Sequence, residues 1–174
     1  MVPAPTTATR IAPCMATVVR ARQDGIRQVS NRSVMNNEAD MDGVVVAGQP
    51  TDEELRELPA RGVAVLVNLR PAGEFVEPEA PKVPAGVKYV DIPFDGRSIS
   101  DEHVHEMRAA LDAATGPVIV HCAGGTRAAL VVGMAQAEKA GEGAEGALRR
   151  IHAAGFDVVG TPYGAFLERY FAKA

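Results

Sequence analysis

The segment VIVHCAGGTRAALV, residues 118–131, sets Cys122 and Arg127 apart by Ala123, Gly124, Gly125 and Thr126, with apolar residues on either side. A cysteine is a nucleophile once it is a thiolate, and arginine offers a planar, permanently charged fork for an oxyanion. Gly124 and Gly125 let the backbone curl so that successive N–H groups converge on one point, a nest for an anion. A cysteine ending an apolar run is, taken alone, a small buried hydrophobe. Packing does not account for a cysteine, a glycine pair and an arginine compressed between two apolar segments. The combination points to an anion-binding, chemically active loop.

Such a loop needs a strand before it and a helix after it. Val118 to Val120 reads as a central parallel strand and Ala128 to Ala140 as the following helix, which puts Cys122 to Arg127 at the carboxyl end of the strand, where open α/β sheets bind ligands. The helix N-terminus adds unpaired N–H groups and the positive end of its dipole, and both favour the thiolate of Cys122. His121 fits a hydrogen bond that orients the loop better than a base.

Elsewhere the pattern alternates strands with helices. Ile26 to Val29, Val44 to Ala47, Val63 to Leu69 and Val87 to Pro93 read as strands; the third, apolar but for Asn68, suits burial on both faces. Thr51 caps a helix carrying Leu55 and Leu58, and Ser100 caps another running to Ala114 with His103 or His105 on its surface. Pro71 to Gly86 is a loop, and Glu145 to Ala154 and Pro162 to Ala172 are further helices, separated by Gly155 to Thr161. The expected fold is α/β, a mainly parallel central sheet flanked by helices in three layers.

Composition limits the setting. The 174 residues are 47% hydrophobic and 23% charged, with a net charge of −4, which fits one domain over residues 25–174. Residues 1–24 hold Arg10, Arg20 and Arg22 but no acid before Asp24, and read as a disordered leader, with organelle targeting as an alternative. Scattered basic residues argue against nucleic acid as a partner, and the apolar runs are too short to span a membrane. The two cysteines, Cys14 and Cys122, suit a free thiol in a reducing, cytoplasmic setting. His103, His105, His121 and His152 lack metal-ligand spacing, so neither metal nor cofactor is expected.

His121-Cys122-x-x-Gly125-x-Arg127 resembles the signature loop of the cysteine-dependent phosphatases. VVVAGQPTDEELRELPARGVAVLVNLRPAGEF resembles the opening of one branch, the phosphatase-like domain named after beta-lactamase hydrolase-like proteins; Ile92-Pro93 and Gly116-Pro117 follow in that family's order. The resemblance implies a dual-specificity-phosphatase-like fold with the cysteine loop as active site. It also places an acid-bearing loop near Asp95, with Asp91 as second choice, although an aspartate before Gly96 also suits an ordinary turn. Arg70 and Glu74 fall at the same sheet edge and would support the pocket, and Arg97 is either a substrate contact or solvated. Two departures stand out: typical members keep five residues between cysteine and arginine where this chain has four, as in the unrelated rhodaneses, and Ala128 replaces a hydroxyl residue.

The small anionic substrate is therefore a phosphate ester or a sulfur donor. Three readings stand: a phosphatase-like hydrolase passing through a thiophosphate on Cys122, a sulfurtransferase carrying a persulfide on the same loop, and an inactive oxyanion-binding module.

Overall fold

Runs of β-branched and other apolar residues form strands that must be covered on both faces, and two of them, each ending in one polar residue, occupy the middle of the sheet. The structure is a computed structural model that describes residues 35–74 and 78–173. The leader, the Ile26 to Val29 strand and Cys14 lie outside those residues. Residues Ser33–Ala174 make one compact unit.

The strands are β1 (Ala39–Met41), β2 (Val44–Ala47), β3 (Val65–Asn68), β4 (Lys88–Asp91) and β5 (Val118–His121), in the order β1-β2-β5-β3-β4. Parallel pairing aligns Val46 and Val67 with Val120 on either side of β5, and every residue of β3 and β5 is buried. The edge strand β1 departs from expectation. It pairs antiparallel with β2 through an Asp42-Gly43 turn whose φ values of 50° and 86° are those of a tight hairpin. Asp-Gly was the available signal, but three residues are too few to show a strand period.

The helices are α1 (Asp52–Glu57), α2 (Asp101–Asp112), α3 (Thr126–Ala140), α4 (Gly143–Ala153) and α5 (Pro162–Phe171). Thr51 caps α1 through a reciprocal bond with Glu54, and Thr161 caps α5 with Pro162 in its first turn. On α2, His105 is the exposed histidine and His103 is half-buried. The His103 Nδ1 accepts the Ser100 backbone N–H at 3.1 Å, and its ring lies 5.0 Å from that of Phe94. A histidine three residues past a serine can serve as the far half of a capping box, which apolar spacing alone does not reveal.

Successive residues of the strands alternate between two cores. Val65, Val67, Val118 and Val120 join α2, α3, α4 and α5 on one face. Leu66 and Ile119 join Leu55 of α1 and Leu58 at its end, with Val83, Val87 and Tyr89 from the β3–β4 connection and β4, on the other. Helix α3 is apolar nearly all round because it packs against the sheet and its neighbouring helices, and its N-terminus is thereby fixed over the carboxyl end of β5. No helix among the described residues is long and apolar enough to cross a membrane.

Candidate active site

Where β5 ends, its partners continue to hold the chain. Cys122 N–H donates to the Ala47 carbonyl at 3.3 Å, the Ala123 carbonyl accepts from Gln49 N–H at 3.2 Å, and the Gly124 carbonyl accepts from Asn37 Nδ2 at 3.0 Å. With the Ala123 and Gly124 carbonyls engaged by Gln49 and Asn37, the loop turns an N–H inward: Gly125 N–H donates to Cys122 Sγ at 3.1 Å. Cys122 is only 2% exposed, whereas Ala123 and Gly124 face solvent. The sulfur therefore lies at the base of the turn. Thr126 and Arg127 belong to the first turn of α3 rather than to the loop before it.

Gly125 has φ +93°, and a Cβ there would lie 2.7 Å from the Phe156 ring. Gly125→Ala should lower stability by about 1–3 kcal/mol from backbone strain alone. Displacement of Phe156 adds to that loss, and denaturant unfolding measures it; an unchanged midpoint would mean that the turn relaxes without cost.

Arg127 is 7% exposed and held at one end of its fork. Nη1 donates to Glu74 Oε1 at 2.9 Å and to the Phe94 carbonyl at 2.7 Å, and Nη2 donates to Glu74 Oε2 at 2.5 Å. Burial opposes its charge, but Glu74 and the Cys122 sulfur outweigh that and hold the guanidinium pKa above its usual value. The Arg127 bond in turn holds Glu74 below the usual carboxylate range. The Nε–H edge carries no hydrogen bond among the described residues, so one side of the fork stays available to an anion while the other is fixed.

A second carboxylate engages the other end of the loop. Glu79 Oε2 lies 2.8 Å from His121 Nε2, and both side chains are buried. Burial pushes the Glu79 pKa up, yet hydrogen bonds from His121 and Gln49 bring it below the usual value. Gln49 Nε2 donates to Glu79 Oε1 at 2.5 Å, and Arg70 Nη1 donates to Gln49 Oε1 at 2.5 Å. Arg70 also donates to the Glu74 backbone carbonyl and lies 3.5 Å from the Glu74 carboxylate. Asn68 fixes this corner, accepting from Arg70 N–H at 2.9 Å and donating to Asp91 Oδ1 at 3.0 Å.

The structure thus brings Cys122, Arg127, His121, Arg70 and Glu74 together and places Asp91 on Asn68, one residue removed from Arg70. Asp95 is exposed. Its Oδ1 accepts from the backbone N–H groups of Arg97 and Ser98 at 2.8 and 2.9 Å and from Ser98 Oγ at 3.0 Å, and the two backbone bonds foremost hold its carboxyl below the usual range. Oδ2 takes no part in that turn.

Three neighbours were not singled out by sequence reasoning. Gln49 and Glu79 meet across 30 residues, and Tyr163 approaches from α5, its hydroxyl 3.5 Å from where a Gly96 Cβ would sit. Burial raises the Tyr163 pKa against the pull of Arg127, so its hydroxyl stays protonated beside the Asp95 loop. Only the Pro162 helix start was visible in the sequence, and it says nothing of what that helix end meets.

Residues 40–140 match the family model for the phosphatase-like domain of beta-lactamase hydrolase-like proteins. The beta-lactamase hydrolase-like protein of Xylella fastidiosa is 32% identical over 101 residues, 53% of this chain and 23% of that protein, so the chain spans under a quarter of this relative's length. Among solved structures, Tk-PTP in its active form superimposes with a TM-score of 0.68 at 22% identity, covering 79% of this chain and 97% of the other. TpbA of P. aeruginosa, solved as a variant in complex with pTyr, gives 0.60 at 20% identity, covering 88% and 100%. At these identities the two structures establish a shared protein-tyrosine-phosphatase-like fold.

Proposed function

Because the chain belongs to the family of the phosphatase-like domain of beta-lactamase hydrolase-like proteins, we propose that it is a cysteine-dependent hydrolase of small phosphate monoesters. The observation that carries this reading is the loop itself: a buried Cys122 sulfur accepting the Gly125 N–H, with Arg127 locked alongside by Glu74. The complex of TpbA with pTyr supports a phosphate ester as the substrate class.

In the first step the Cys122 thiolate attacks phosphorus, the S–P bond forms and the ester P–O bond breaks. Loop N–H groups and the free edge of Arg127 hold the phosphoryl oxygens as charge builds. A proton passes from the Asp95 carboxyl to the departing alkoxide. In the second, the Asp95 carboxylate takes a proton from water as its oxygen attacks the thiophosphate, the S–P bond breaks, and inorganic phosphate and the thiolate are released. Ala128 supplies no hydroxyl to assist sulfur as it leaves, so the thiophosphate should break down slowly.

The turn bonds that keep Asp95 ionised work against its role as acid, and the leaving group decides how much that matters. Asp95→Asn should slow hydrolysis of an alkyl phosphate by about 10²-fold or more, and of p-nitrophenyl phosphate much less, because that leaving group needs little protonation. Equal losses on both esters, or none on either, would remove Asp95 from this step.

A second reading, persulfide transfer on the same cysteine, is favoured by the four-residue spacing between Cys122 and Arg127 and by an Asp95 held ionised. It needs no acid. Thiocyanate formation from thiosulfate and cyanide, unaffected by Asp95→Asn and without phosphate release, would replace hydrolysis by this reading.

A further inference from the structure

The two ends of the cysteine loop are gripped by different carboxylates, His121 by Glu79 and Arg127 by Glu74. These grips are not independent. The side-chain amide of Gln49 donates to Glu79 on one side and accepts from Arg70 on the other, and Arg70 holds Glu74 through its backbone carbonyl and its carboxylate. The polar chain His121–Glu79–Gln49–Arg70–Glu74–Arg127 therefore starts one residue before the nucleophile and ends on the arginine of the same loop. The Gln49 backbone N–H also holds the Ala123 carbonyl at 3.2 Å, so a single residue touches the loop directly and joins both of its supports.

We propose that Gln49 is a positioning residue that makes the cysteine loop and its two carboxylate clamps one rigid oxyanion site. An amide suits the place because one planar group offers a donor to a carboxylate and an acceptor to a guanidinium. An apolar side chain there would remove the amide donor from Glu79 Oε1 and the Gln49 acceptor from Arg70 Nη1, and the orientation of Arg127 would loosen through Glu74. The proposal rests on the reading of the loop as an oxyanion site, and not on the fate of the oxyanion.

The test compares inorganic tungstate affinity by calorimetry with p-nitrophenyl phosphate turnover, in the native chain, Gln49→Leu, and the exchange variant Gln49→Glu/Glu79→Gln. The exchange keeps the three bonds that link His121 to Arg70 and gives up the Gln49 Nε2 donation to the Pro50 carbonyl: the amide at 79 accepts from His121 and donates to the carboxylate at 49, which accepts from Arg70. Gln49→Leu should weaken tungstate by about tenfold. It should lower kcat as well as raise KM, and the exchange should restore affinity to within a few-fold of native. Native affinity in Gln49→Leu, or an exchange variant no better than it, would overturn the proposal. The denaturant unfolding midpoint of each variant is read alongside, so that a loss of affinity with the fold intact is told apart from poorer folding. Tungstate binding by the native chain without turnover would overturn hydrolysis and leave the positioning role standing, whereas no tungstate binding at all would overturn both.

Discussion

Cys122→Ser should abolish phosphate release, by at least about 10⁴-fold in kcat, because the hydroxyl that replaces the thiol is not ionised at neutral pH and is a far weaker nucleophile. Tungstate binding should survive, since the Gly125 N–H, the α3 N-terminus and Arg127 are all retained. Phosphate release and calorimetry on the same preparation read the two effects separately. Residual turnover within about tenfold of native would mean that another nucleophile, or water directly, does the chemistry.

Arg127→Lys should cost about 10²–10³-fold in kcat while leaving the charge of the site unchanged. The guanidinium meets both Glu74 oxygens and the Phe94 carbonyl and still has its Nε edge to offer. An ammonium is a point charge on a flexible stem and cannot satisfy those fixed partners and an oxyanion in one geometry. Glu74, freed from its fork, would also compete with the substrate for the lysine. Steady-state kinetics decide the matter: a rise in KM alone, with kcat preserved, would assign Arg127 to ground-state binding instead of the transition state.

The sequence alone determined what depends on local order. Strand periods, the Thr51 and Ser100 caps and the glycine pair before an apolar helix are written in neighbouring residues, as is the order of Cys122, Gly125 and Arg127. From these came the α/β fold with its mainly parallel sheet, the position of the loop and the family. The short strand β1 escaped notice because three residues carry no period, although its Asp42-Gly43 turn was in plain view. Tertiary structure decided which distant side chains support the loop. Gln49, Glu79, Arg70 and Glu74 come from three segments that meet only when β2, β3 and β5 align in register and the β3–β4 connection folds over their carboxyl ends. The capping role of His103 and the commitment of Asp95 to its own turn are likewise hydrogen-bond choices. Residue type lists the groups able to make such bonds; the shape of the chain selects among them, because a hydrogen bond forms only within a narrow range of distance and angle.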